Sequence, residues 1–228
     1  NATSNAGTAI INSDNSGSII TLTNSTNGGY TLNGGSGVDQ LTGDTDTDVI
    51  NGSSGNDVLD GAGGADIING GLGIDHLTGG SGSDIYQYNT NDVDSGEFIT
   101  ELAGGGTDVI AIITTTNFGN MTEASFNEIE EIRFAGPNQV GSVTGGQLSG
   151  ETIVLTETAS GISELIINVA AGSTVDFSNL TATTFTIGSD IVTINVENGD
   201  ANITFPDFTV TLNMGTGTGT GNDTLTGG

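Results

Sequence analysis

Between residues 34 and 87 the polar and apolar positions recur with a period of nine. The stretch divides without insertion into six units, GGSGVDQLT, GDTDTDVIN, GSSGNDVLD, GAGGADIIN, GGLGIDHLT and GGSGSDIYQ. Position eight is apolar or aromatic throughout (Leu41, Ile50, Leu59, Ile68, Leu77, Tyr86), position nine is polar, position one is glycine and position six is aspartate. A Gly-rich six-residue segment can turn through positive φ, and a three-residue tail with one central apolar side chain suits a very short strand. Such a strand cannot stand alone, so the units are expected to stack two per coil around a thin interior of position-eight side chains. A period held over this length is the mark of a solenoid and not of a flexible linker.

Outside the array the pattern is β-like. Upstream, 18–23 and 30–33 read as strands, and TLN at 31–33 has the form of a repeat strand that begins the coil one unit early. Downstream, strands are expected at 139–144, 152–156, 164–169, 174–177, 184–187, 191–196, 202–205 and 208–214, the last alternating Phe208, Val210, Leu212 and Met214 with polar residues. A spacing of roughly ten residues between strand centres suits a sandwich or a solenoid. Scarce aromatics and abundant Thr, Ser and Asn favour a continued parallel solenoid. The one helical candidate is 122–131, with Thr122 as cap. The resulting division is 1–33 as an N-terminal strand-forming or linker segment, 34–87 as the repeat coil, and 88–134 as a closing segment with a short helix. Residues 135–214 form a solenoid-like region, and 215–228 start a further repeat.

Charge changes the picture. The chain has 28 acids against one Lys or Arg, Arg133, for a formal net charge of −27. That balance excludes nucleic acid and anionic membrane as partners. No apolar run approaches the length of a membrane span, so direct insertion is not expected. High charge with modest hydrophobicity also leaves the metal-free chain marginally folded. Two units per coil place the position-six aspartates in two rows, pairing Asp39 with Asp57, Asp48 with Asp66, Asp57 with Asp75 and Asp66 with Asp84. Nothing basic lies within the stretch to neutralise them. A hard divalent cation that takes 6 to 8 oxygens satisfies both charge and turn, and calcium fits better than magnesium with its stricter octahedron. Folding of the repeat region is therefore expected to be coupled to calcium.

The motif GGxGxD followed by x, apolar, x resembles the RTX (repeats-in-toxin) calcium-binding nonapeptide. The resemblance implies an all-β chain with a right-handed parallel β-roll, followed here by the solenoid- or sandwich-like region. It also implies that Asp39, Asp48, Asp57, Asp66, Asp75 and Asp84 are side-chain ligands, with backbone carbonyls supplied near Gly37, Gly55, Gly64, Gly73 and Gly82. Four offset pairs give about four calcium ions. The second unit departs from the pattern, with Asp44 and Asp46 where glycine is usual, which either disturbs the sites that use Asp48 or rims them with further carboxylates. GGGTDVIAI resembles a closing half-repeat in which Asp108 is a ligand or a plain turn residue. TGTGNDTLT near the end resembles another nonapeptide, with Asp223 at position six.

Catalytic groups are not found. The single histidine, His76, sits at position seven, where alternation points it to solvent, and there is no HExxH, GxSxG or Walker pattern. The absence of cysteine excludes disulfides and thiol chemistry. Arg133 is expected to pair with Glu130 or Glu131. These features describe a non-enzymatic, calcium-dependent structural module of a secreted bacterial surface protein that self-associates into a surface layer, sheath or fibre. The family resemblance implies export by type I secretion. A calcium-stiffened adhesin segment and the non-catalytic tail of a secreted hydrolase are the alternatives. A cell-surface glycan or anchor is the other compatible partner class.

Overall fold

A computed structural model of the chain describes residues 9–23, 28–103, 105–185, 190–197, 200–204, 211–214 and 224–226. It forms two compact units, Asn1–Ala111 with Asn120–Ile129, and Ile112–Gly119 with Glu130–Gly228.

In the first unit the nine-residue period becomes two short parallel strands per coil. One sheet runs through β1 (Ala9–Asn12), β3 (Tyr30–Ser36), β5 (Val49–Ser54), β7 (Ile67–Leu72) and β9 (Ile85–Tyr88). The other runs through β2 (Ile19–Thr21), β4 (Gln40–Thr42), β6 (Val58–Asp60), β8 (His76–Thr78) and β10 (Phe98–Thr100). Register is fixed by the apolar column: Leu32 lies beside Ile50, Ile50 beside Ile68 and Ile68 beside Tyr86. On the other sheet Leu41 lies beside Leu59, Leu59 beside Leu77 and Leu77 beside Ile99. Leu32 and the six position-eight residues are all 0 or 1% exposed, so this column is the core. Position nine adds a polar ladder on the outer face, where Asn33 Nδ2 donates to Asn12 Oδ1 at 2.7 Å and Asn51 Nδ2 to Asn33 Oδ1 at 2.9 Å. β11 (Val109–Ile112), buried along its whole length, begins with Val109 donating its N–H to the Asp84 carbonyl.

The second unit is also built from parallel strands, which decides for the solenoid against the sandwich. One of its sheets orders β12 (Thr116–Asn117), β14 (Val140–Thr144), β16 (Glu164–Val169), β19 (Ile191–Val196) and β21 (Thr211–Met214). β13 (Glu131–Phe134), β15 (Val154–Glu157) and β18 (Thr181–Ala182) are neighbours in a second, and β17 (Thr174–Asp176), β20 (Asn202–Thr204) and β22 (Thr224–Thr226) form a third. Coils here are longer and uneven: Glu164 lies beside Val140 and Ile191 beside Glu164, steps of 24 and 27 residues. They enclose a thicker core of Phe118, Phe134, Leu155, Leu165, Ile167, Phe177 and Ile194.

Two expectations need correction. The stretch 122–131 is not an α-helix but a single 3-10 turn, Glu123–Phe126, and the Thr122 side chain does not cap it. It is too short to propagate a helix, and the parallel strand β13 takes over at Glu131. The one α-helical turn among the described residues is instead α1 (Gly145–Leu148), where Thr144 and Gln147 make a reciprocal capping box. The strand expected at 184–187 is replaced by β18 a few residues upstream; 186–187 lie outside the described residues, as do Phe208 and Val210. Arg133 pairs with Glu131, Nε to Oε1 at 2.7 Å and NH2 to Oε2 at 2.9 Å, within one strand. Among the described residues no helix is long and apolar enough to cross a membrane.

Candidate metal centre

The position-six aspartates stand in two continuous ladders, one on each turn edge. On the first edge Asp39 Oδ1 accepts the Ser18 N–H at 2.6 Å, Asp57 Oδ1 that of Asp39 at 2.8 Å and Asp75 Oδ1 that of Asp57 at 2.8 Å. On the second, Asp48 Oδ1 accepts from Tyr30 at 2.6 Å, Asp66 Oδ1 from Asp48 at 2.7 Å and Asp84 Oδ1 from Asp66 at 2.7 Å. Each aspartate thus closes the coil before it with one oxygen. The four expected pairs are all brought together.

The second carboxylate oxygen is the informative one. Asp39, Asp57, Asp66, Asp75 and Asp84 are buried, and the Oδ2 of each has no hydrogen-bond partner. Leaving a buried acceptor unsatisfied is costly, and for an ionised carboxylate more so. Those of Asp39, Asp57 and Asp66 converge with backbone carbonyls in front of Gly34, Gly52 and Gly61. A β-carbon on Gly34 would meet Asp39 Oδ2 at 2.5 Å and the Gly52 carbonyl at 2.7 Å. One on Gly43 would meet the Gly61 carbonyl at 2.7 Å, one on Gly52 the Gly70 carbonyl at 2.5 Å and one on Gly61 the Gly79 carbonyl at 2.6 Å, each also crowding the aspartate of its own unit. Glycine at position one therefore keeps open a cradle lined by one carboxylate oxygen and one carbonyl of the next coil. This donor set, hard oxygens of both kinds with no cation among them, fits calcium.

The position-four glycines serve the turn. Gly55, Gly64, Gly73 and Gly82 have φ of 142°, 111°, 126° and 137°, a region that excludes side chains at little cost only for glycine. A β-carbon on Gly55, Gly73 or Gly82 would collide with the carbonyl of Gly37, Gly55 or Gly64, respectively, one coil back. The second unit of the array departs as its sequence does. Asp44 donates its N–H to Asp48 Oδ2 at 2.9 Å, so Asp48 alone of the six has both oxygens engaged, while Asp46 Oδ2 accepts the Gly28 N–H at 3.2 Å. Asp44 is itself buried, with an unpartnered Oδ2. The additional carboxylates line the turn, and the Asp48 rung is differently satisfied. Asp223 lies outside the described residues. His76 is exposed, with its ring edge-on to Phe98.

The ladders continue past the array. Asp108 Oδ1 accepts the Asp84 N–H at 2.8 Å on the second edge, and Glu97 Oε2 accepts the Asp75 N–H at 3.3 Å on the first. Sequence reasoning singled out Asp108 but passed over Glu97 and Glu101. Glu97 did carry a signal, because it precedes Phe98-Ile99-Thr100 as Asp75 precedes His76-Leu77-Thr78. Crowding shows in the proton equilibria. Burial first, and neighbouring carboxylates in addition, push Asp66 up to about 8, Asp75 to about 6, Glu97 to about 9 and Glu101 to about 7, and raise Asp48, largely by burial. Asp57 and Asp84 are raised by burial as well. Without a cation these groups give up their protons at higher pH than a free carboxylate does.

Residues 33–68 and 60–89 match the family model described as RTX calcium-binding nonapeptide repeat (4 copies). No curated protein and no solved structure matches the chain. The matched residues are those whose orphaned carboxylate oxygens and glycine cradles form the two ladders. The segment 33–89 is accordingly an array of RTX calcium-binding nonapeptide repeats, folded as a parallel β-roll whose cofactor is calcium.

Proposed function

We propose that this calcium-binding structural module belongs to a secreted bacterial surface protein and that its calcium-loaded form self-associates into a surface layer, sheath or fibre. One observation carries the reading: the ion cradles lie between successive coils, in line with the ladder bonds that join them. Filling them offsets the charge of stacked carboxylates and stiffens the rod, which is what an assembling unit needs. RTX β-roll repeats are non-catalytic modules, and the ion here acts on rigidity and not on a substrate. Extracellular calcium, present at millimolar level, is sufficient for weak sites to fill after export.

Electron microscopy of the purified chain with calcium and with a chelator tests this. Regular lattices or filaments that form only with calcium are expected. A monodisperse monomer in both conditions would reject assembly and favour an adhesin segment or a hydrolase tail.

A further inference from the structure

At Gly34, Gly43, Gly52 and Gly61 the cradle pairs the Oδ2 of the unit's aspartate with the carbonyl of the glycine eighteen residues after the position-one glycine. After Gly79 this rule fails, because the residue eighteen positions later is Glu97 and no glycine carbonyl arrives. The place is taken by another oxygen. A β-carbon on Gly79 would meet Glu101 Oε1 at 2.5 Å and the Tyr86 hydroxyl at 2.7 Å, together with Asp84 Oδ2. Tyr86 donates its O–H to Glu101 Oε1 and so holds that carboxylate in place. Asp108 completes the group: one carboxylate oxygen from each of Asp84, Glu101 and Asp108 lies within 4.8 Å of the other two. Two oxygens bound to one ion at calcium distances stand at most about 5 Å apart, so a single cation can reach all three.

An acidic cluster alone would not indicate a ligand, but Asp84 supplies an independent mark. Its side chain is fully buried, and its Oδ2 faces this group without a hydrogen-bond partner. The one Lys or Arg of the chain, Arg133, is engaged with Glu131. The end of the first edge is built differently. There the three atoms nearest a β-carbon on Gly70 all belong to Asp75, and Asp92 is engaged with the Asn89 backbone and side-chain N–H groups.

We propose that Asp84, Glu101 and Asp108 form a further divalent-cation site that closes the second edge, with Glu101 replacing the carbonyl a further repeat would have supplied. Two of its three carboxylates lie beyond the matched repeats. The site rests on the calcium reading of the array. With three carboxylates where an inner cradle has one carboxylate and a carbonyl, it binds calcium more tightly than the inner cradles and accepts trivalent lanthanides readily. Its filling fixes Glu101 and Asp108 onto the last repeat.

Native mass spectrometry of the full chain in limiting to saturating CaCl2 counts the ions. Glu101→Gln and Asp108→Asn should each lower the saturated count by one relative to the unaltered chain, while Glu123→Gln, on an exposed side chain, should not. An unchanged count in Glu101→Gln and Asp108→Asn overturns the site and leaves Glu101 as a partner of Tyr86 only. Absence of ions from the unaltered chain would overturn the calcium reading of the whole array, a distinguishable result. Should either variant fail to fold, a crystal of the unaltered chain grown with TbCl3 decides: an anomalous peak bounded by Asp84, Glu101 and Asp108 supports the site, and peaks confined to the inner cradles overturn it.

Discussion

In the nonapeptide coils one side chain per short strand, such as Leu59 on β6 or Leu77 on β8, fills the interior. In the second unit β16 contributes Leu165, Ile167 and Val169, and β19 contributes Val192, Ile194 and Val196. A coil of the second unit orders more backbone than an array coil, 24 or 27 residues by register against 18, at a correspondingly larger entropic cost. Only the second offsets that cost mainly by apolar burial, each such side chain contributing roughly 1.5–3 kcal/mol. The array buries aspartates where the second unit buries leucine and phenylalanine, and without a cation those carboxylates oppose the fold. Parallel stacking is common to both units, but the array depends on an ion while the second unit supplies its own core.

The sharpest way to break this contrast is to damage each core in kind. Phe134→Ala removes a fully buried ring that packs against Phe185 at 5.2 Å between centroids. It should cost the second unit about 3–5 kcal/mol, by the same amount in calcium and in chelator. A urea titration in both conditions checks this, and a strongly calcium-dependent loss would join the two regions energetically. In the array the equivalent damage is to a ligand. Asp66→Ala removes a ladder bond and an orphaned oxygen, and should raise the calcium concentration needed for folding by about tenfold or more. Circular dichroism during calcium titration measures the midpoint, and an unshifted midpoint would deny the cradle its role.

A change of pH separates the regions more gently. Raised carboxyl values mean that the folded, metal-free array binds more protons than its unfolded chain. The contribution is fully present below the ordinary aspartate value of 3.8 and is lost as pH rises through about 6 at Asp75 and about 8 at Asp66. Metal-free array should therefore be more ordered near pH 4.5 than near pH 8. Calcium binding should release protons, as seen by calorimetry in buffers of different ionisation enthalpy. The smallest effect is expected at Arg133→Met. Its pair with Glu131 is partly exposed and should be worth about 0–1 kcal/mol by thermal melt, with no change in calcium response.

How legible each feature is in the sequence follows from the same contrast. In the array one residue type does one job at one phase, so the position-eight core, the two aspartate edges and the four pairs can be read from columns alone. The shared cradle between Gly52, Gly34 and Asp39 is not readable, because it depends on which carbonyl of the next coil turns inward. Glu101 carries no phase at all, and only closure of the last coil brings it to Gly79. In the second unit steps of 24 and 27 residues hide the stacking, although 164–169 and 191–196 are readable as strands from β-branched runs. α1 is masked by Gly145 and Gly146, and only the Thr144 and Gln147 spacing marks it.

Hydrogen exchange followed by mass spectrometry, on the full chain with calcium and after chelation, separates an ion-dependent array from a second unit that holds itself together. Chelation should strip protection from the strands between residues 30 and 100 while β14, β16 and β19 keep theirs. Equal loss in both regions, or an array that stays protected without the ion, would contradict the account.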